Sequence, residues 1–169
     1  CYIYSLSQEG KLIWKFKTKG KIRAKVESEN WDIFDLFKSR EPNKENPNLF
    51  VGTIDGDVYS LNWNGSLIWH KKIEGGIYGK PLLVSRFAEK PPSIYVKVSK
   101  LLYLGTDKGY LYSLLADTGS EEFKIAIKSP IFSSPSYTYD GRSTGIIDDY
   151  LIFGADNGIY IYSLRRRCI

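Results

Sequence analysis

The sequence predicts an all-β protein built from a four-strand antiparallel unit that repeats along the chain. Three observations carry this. Thirteen Tyr, eight Phe and four Trp make 15% of the residues aromatic, and such side chains favour pleated, half-buried surfaces over helix interiors. Glycine turn dipeptides divide the chain into short apolar runs. One segment, LFVGTIDGDVYSLNWNGSLIWHKKIEGGIYGKP from Leu49 to Pro81, has a counterpart in every other interpretable stretch.

Within that segment Leu49 to Thr53 is an apolar run, Asp55-Gly56 a turn, and Val58 to Leu61 a strand that stops at Asn64-Gly65. Ser66 to Ile73 is a further strand carrying Trp69, and a short link leads into a fourth. An isolated hairpin of this kind is marginal in water, so the unit needs neighbours of its own kind to cover its faces.

The first copy is Tyr2-Ile3-Tyr4-Ser5-Leu6 followed by Gly10 and Trp14, in step with Tyr59-Ser60-Leu61, Gly65 and Trp69. The third runs from Leu101 to Pro135. Its Gly105-Thr106, Lys108-Gly109, Tyr112-Ser113-Leu114, Gly119 and Phe123 fall at the places of Gly52-Thr53, Asp55-Gly56, Tyr59-Ser60-Leu61, Gly65 and Trp69. A fourth begins at Tyr150, with Gly154 and Asn157-Gly158 at the turn positions, and reaches Ile169 before any tryptophan strand. Ile22, Ile77 and Ile131 each lie eight residues after Trp14, Trp69 and Phe123. Glycine after Asp, Lys or Asn supplies a left-handed turn that costs other residues ~1 kcal/mol or more. Trp14 and Trp69 are expected between neighbouring sheets, where truncation to Ala costs ~3–5 kcal/mol.

Lettering the strands a to d within a unit, the chain offers c and d, two full sets, then a, b and c. The division expected is 2–26 for the end of the first unit and its link, 27–48 for a loop insertion, 49–73 and 77–139 for repeat units with a loop at 85–100, and 150–169 for a last partial unit. The insertion Glu27 to Asn48 contains WDIFDLF, with room for one helical turn, and the polar SREPNKENPN; Ser85 to Lys100 contains Pro91-Pro92. Proline and lone charges make poor strand interiors, so both are expected as surface loops. They account for Tyr-Ser-Leu spacings of 55, 53 and 50 residues, against the ~40–45 of a compact blade.

The formal charge of +5 raises a nucleic-acid partner, but Lys and Arg read as scattered apart from Arg165, Arg166 and Arg167, so no nucleic acid is expected. No run approaches the ~18 apolar residues of a membrane span, and no signal peptide opens the chain. Cys1 and Cys168 form neither a disulfide framework nor a metal site. A chain that opens on Cys1 and contains no Met is expected to be part of a longer protein.

The pattern G-T-x-D-G, Y-S-L, N-G or T-G, then L-x-W resembles the PQQ-like β-propeller repeat of quinoprotein dehydrogenases and outer-membrane assembly lipoproteins. The fold so implied is a partial β-propeller, PQQ-like or WD40-like, of four-stranded antiparallel blades, two complete and two partial. The order YIYSLSQEGKLIWKF, SPIFSSP and LIFGADNGIYIYSL is similar to the C-terminal propeller of the β-alanine-activating enzymes of the acyl-CoA synthetase family. That resemblance implies a parent in which an adenylate-forming domain and a carrier domain precede the propeller. The parent would activate a carboxylic or amino acid with ATP, its chemistry would lie outside these residues, and it would be cytoplasmic. The alternative is a fragment of an exported quinoprotein dehydrogenase or outer-membrane assembly scaffold.

Catalysis by this segment is not expected. His70 is the single histidine, and alternation sends it to the face opposite Trp69, where it reads as an exposed surface residue. No H-E-x-x-H, C-x-x-C or G-x-x-x-x-G-K-[ST] motif occurs. No cofactor is expected either, since the adjacent cysteines of quinoprotein dehydrogenases are missing; Asp55, Asp107 and Asp156 read as turn residues bonding their own backbone. A propeller presents loops on two faces, so an interaction role asks least of the sequence. Its partners would be the remaining blades and domains of the parent, or another protein. Candidate contacts are Trp31, Phe34 and Phe37 in the first insertion and Phe87 in the second, although the spacing of the first three also suits packing back on the propeller.

Overall fold

A computed structural model describes residues 1–29, 47–90, 94–139 and 148–165. Every regular element among them is a strand. In chain order these are β1 (Tyr2–Leu6), β2 (Leu12–Lys17), β3 (Glu27–Ser28), β4 (Leu49–Gly52), β5 (Asp57–Leu61), β6 (Leu67–Lys72), β7 (Leu82–Lys90), β8 (Ile94–Gly105), β9 (Tyr110–Leu115), β10 (Glu121–Ala126), β11 (Ser136–Tyr139), β12 (Asp148–Ala155) and β13 (Gly158–Arg165).

They form four antiparallel sheets in the orders β1-β2, β3-β4-β5-β6, β7-β8-β9-β10 and β11-β12-β13. Each sheet is a blade whose strands follow one another in sequence. The innermost strands are neighbours from sheet to sheet, β3 beside β7 and β7 beside β11. Among the described residues no contact joins β1 or β2 to β12 or β13. The blades therefore make an open arc of a β-propeller, with two complete and two partial blades.

The core lies between blades. Along β8, Leu102 and Leu104 face the second blade with Phe50, Val58, Trp69 and Ile77, while Leu101 and Tyr103 face the fourth with Leu151 and Phe153. Alternation sends successive side chains to opposite faces, so an apolar strand buried on both sides is what a middle blade requires.

All three c–d hairpins contain a bulge at the same place. Ser5 pairs with Trp14 but Leu6 with Leu12, Ser60 with Trp69 but Leu61 with Leu67, and Ser113 with Phe123 but Leu114 with Glu121. The extra residue, Ile13, Ile68 or Glu122, resets the period-2 alternation so that the next aromatic points inward. Ile13 and Ile68 are consequently exposed, at 60% and 43%.

One expectation is corrected. The segment 85–100 is not an irregular loop but a hairpin extension in which Ser85 pairs with Lys100, Arg86 with Ser99 and Lys90 with Ile94. The β-branched and aromatic residues Ile94, Tyr95, Val96 and Val98 favour strand, and Pro91-Pro92 lies outside the described residues. The 27–48 segment likewise opens with strand β3. Its WDIFDLF stretch lies outside the described residues.

Candidate interaction surfaces and the blade contacts that frame them

The repeated residues are occupied by contacts from blade to blade. Gly52 and Gly105 end β4 and β8, and a Cβ there would lie 2.5 Å and 2.3 Å from Cγ2 of Ile77 and Ile131. These are the isoleucines eight residues after the aromatic. Their N–H groups donate to Thr53 O and Thr106 O, each at 2.9 Å. The same threonines close the b–c turns around Gly56 and Gly109, where Thr53 Oγ1 accepts from Asp57 N at 2.9 Å and Thr106 Oγ1 from Tyr110 N at 3.2 Å.

Trp14 and Trp69 each reach the next blade. Trp14 Nε1 donates to Trp63 O at 2.9 Å and Trp69 Nε1 to Ala116 O at 2.7 Å. A Cβ on Gly65 or Gly119 would lie 2.6 Å and 2.7 Å from the indole rings of Trp14 and Trp69. Both glycines also have φ above +70°, so turn geometry and indole contact alike require glycine. Phe123 replaces the tryptophan with a ring that has no donor, and packs near Tyr103 and Tyr162 at 6.1 Å and 6.0 Å.

Tyr59 and Tyr112 on the c strands reach the link that precedes their blade. Tyr59 Oη accepts from Lys19 N at 3.1 Å and Tyr112 Oη from Glu74 N at 3.2 Å. In the fourth blade Ser133 Oγ bonds both the N–H and the C=O of Gly154, at 2.8 Å and 2.9 Å, and Gly158 sits in the open turn to β13.

The aspartates also act between blades. Asp107 Oδ1 accepts from Gly76 N at 2.7 Å, and Asp107 N donates to Gly76 O at 3.0 Å. This corrects the expectation that Asp107 serves its own turn: the preceding link runs close enough to use its carboxylate. Asp55 lies against Gly20 of the first link, and Asp156 N donates to Pro130 O at 3.1 Å.

His70 is more engaged than a solvated histidine. Its ring stacks on Tyr59 at 4.7 Å, its Nε2 lies 2.8 Å from Asp57 Oδ1, and 26% of its side chain is exposed. Asp57 is buried and also has Lys72 Nζ at 3.5 Å. The other copies carry Tyr2, Tyr110 and Tyr160 at the Asp57 position, and Lys15 and Lys124 at the His70 position. Lys124 Nζ lies 3.7 Å over the Tyr110 ring and 2.9 Å from Glu74 Oε2. Its hydrogen bonds to Glu74 and then Tyr112 raise its pKa, and the bond from Lys124 lowers that of Glu74. Asp57 and His70 thus replace a cation–tyrosine contact by a carboxylate–imidazole pair. The pairing is invisible in sequence, since it depends on the β5–β6 register.

Of the proposed contact residues, Trp31, Phe34 and Phe37 lie outside the described residues. Phe87 falls on β7 in the hairpin extension. At the base of that extension Lys100 Nζ pairs with Glu29 Oε1 at 3.0 Å, joining it to the point where the first insertion leaves β3.

These blades, stacked through their inner strands, define the chain as a segment of a β-propeller. Its fold is similar to that of Sqt1 from Saccharomyces cerevisiae, with 13% identity and a TM-score of 0.52, over 70% of this chain and 29% of that one. It is also similar to BBS1N, solved in complex with ARL6DN, with 14% identity and a TM-score of 0.57, over 98% of this chain and 45% of that one. The chain thus spans less than half the length of either. No protein-family model and no curated protein sequence matches it.

Proposed function

We propose that this chain is a non-catalytic scaffold, an arc of propeller blades whose loops dock a tethered domain or a partner protein. The supporting observation is where the non-repetitive sequence sits. The repeat residues are taken up in blade-to-blade contacts, whereas the insertions fall in the a-to-b connections, β3 to β4, β7 to β8 and β11 to β12, which leave the blades at one common end. Loops gathered on a rigid scaffold are the usual place for binding residues. Trp31, Phe34 and Phe37 belong to the first of these connections, and Phe87 to the strand that leads into the second.

We further infer that the parent is an adenylate-forming, acid-activating ligase of the β-alanine-activating type in the cytoplasm, a reading supported by the segment order YIYSLSQEGKLIWKF, SPIFSSP and LIFGADNGIYIYSL. Coding sequence upstream of Cys1 tests it. An adenylate-forming domain followed by a carrier serine is expected; a secretory signal peptide would overturn it in favour of an exported quinoprotein or assembly scaffold. Docking is tested in the full-length parent by limited proteolysis of the interdomain linkers. Replacing Trp31, Phe34 and Phe37 by Ala should speed cleavage several-fold at unchanged blade stability, and unchanged cleavage would overturn the docking role.

A further inference from the structure

The link after β2 carries a feature that blade packing does not need. Lys17, Lys19, Lys21, Arg23 and Lys25 occupy every second position and are all exposed, while Thr18, Gly20 and Ala24 between them are buried and Ile22 is half-buried. The inward residues and the backbone hold the link in place. Thr18 Oγ1 donates to Gly20 O at 2.9 Å, Gly20 lies against Thr53 and Asp55, and Lys21 O accepts from Ile54 N at 3.0 Å. The link that carries the cations is thereby held in place from the outer strand of the first blade to β3 of the second, with all five cations exposed.

The repeat supplies its own control. The equivalent positions of the next link are Lys72, Glu74, Gly76, Tyr78 and Lys80, and of the third Ala126, Lys128, Pro130, Phe132 and Ser134. Five cations in the first link stand against two and one, although the three links share one backbone bond to the next blade, in which Lys21 O, Gly76 O and Pro130 O accept from Ile54 N, Asp107 N and Asp156 N. Among the described residues none of the five forms an ion pair, and Asp55 is the carboxylate placed against the link.

We infer that this row is a docking strip for an extended acidic segment of a protein partner or tethered domain, a deepening of the scaffold reading on which it rests. One exposed ion pair contributes little, but several cations on a fixed backbone meet a matching anionic segment without being ordered on binding. The chemistry favours protein over single-stranded nucleic acid, which is held by aromatic side chains stacked on bases between the cations; here Thr18, Gly20, Ile22 and Ala24 fill those places. The strip is written in the sequence, where Lys or Arg takes every second position from Lys15 to Lys25, which corrects the reading of Lys and Arg as scattered. Burial adds that the residues between the five cations of the link are buried or half-buried while the cations are exposed.

The test is binding of a fluorescein-labelled peptide of alternating Glu and Ser to the full chain at low salt, read by anisotropy. Lys19→Glu/Arg23→Glu should weaken binding by about tenfold or more, and Lys11→Glu/Lys108→Glu, an equal charge change elsewhere on the surface, by less than about twofold. Lys19→Gln/Arg23→Gln, which adds no repulsion, should give an intermediate loss at an unchanged circular dichroism spectrum. Equal weakening by the two Glu pairs would reduce the effect to diffuse charge and overturn the strip, as would no weakening. A single-stranded oligonucleotide of equal charge that displaces the peptide and binds more tightly would overturn the assignment to an acidic protein segment. Failure here leaves the a-to-b docking reading intact, since that is read separately by linker protection.

Discussion

Trp69 shows how much one residue contributes beyond its size. Its indole is buried, covers Gly119 and donates to Ala116 O. Trp69→Phe keeps most of the apolar contact but leaves that carbonyl unpaired, and is expected to cost ~1–3 kcal/mol in urea unfolding, whereas Trp69→Ala should cost ~3–5 kcal/mol. Glu74 and Lys124 give a pH signature of known sign. Because the folded pKa of Glu74 is held below its ordinary value of 4.5, its contribution is present above that pH and fades as pH falls through the folded value. Glu74→Gln should therefore flatten the acid limb of a thermal-melt profile, and an unchanged limb would contradict the pairing. Glycines, Tyr59 and Trp69 were legible in the sequence because each blade repeats them. Asp57 and His70 were not, since their meeting depends on which residues of β5 and β6 lie opposite one another.

At the level of elements, the c–d bulge separates neighbours that a hydrophobic pattern would treat alike. Ile68 and Trp69 are adjacent and apolar, yet only Trp69 faces the core. Ile68→Lys should change stability by no more than about 0.5 kcal/mol, as for surface positions generally, in contrast to the loss at Trp69. The sequence carried the strand order and the turns, which local chemistry sets. It did not carry the bulge, where L-I-W departs from strict alternation, nor the β7–β8 extension, where Pro91-Pro92 suggested a loop although the flanking residues favour strand and pair across the turn. The basic row after β2 stands in the sequence at every second position, and burial of the intervening residues added that its cations stay exposed while the link is held in place.

Over the whole molecule, the same tyrosine position measures where the arc ends. Tyr59 and Tyr112, in the two complete blades, are 4% and 3% exposed, whereas Tyr4 and Tyr162, in the two partial blades, are 58% and 40% exposed. At the other end Ile159 and Ile161 stand open on β13, and β13 has no further strand beside it among the described residues. Open faces and strand edges of this kind promote association. Sedimentation velocity on the 169-residue chain should show concentration-dependent association that Ile159→Lys/Ile161→Lys reduces, and a monomer at every concentration would count against these faces as sticky ends.

The bond from Glu74 N to Tyr112 Oη exists only if the second and third blades stack as propeller neighbours. Hydrogen exchange at the Glu74 amide, followed in the wild type and in Tyr112→Phe, reads that contact. Protection in the wild type and roughly tenfold faster exchange in the variant, with the β5–β6 amides unchanged, is the expected result for loss of a local hydrogen bond. An unprotected Glu74 amide in the wild type, or equal rates in both proteins, would contradict the stacked arc.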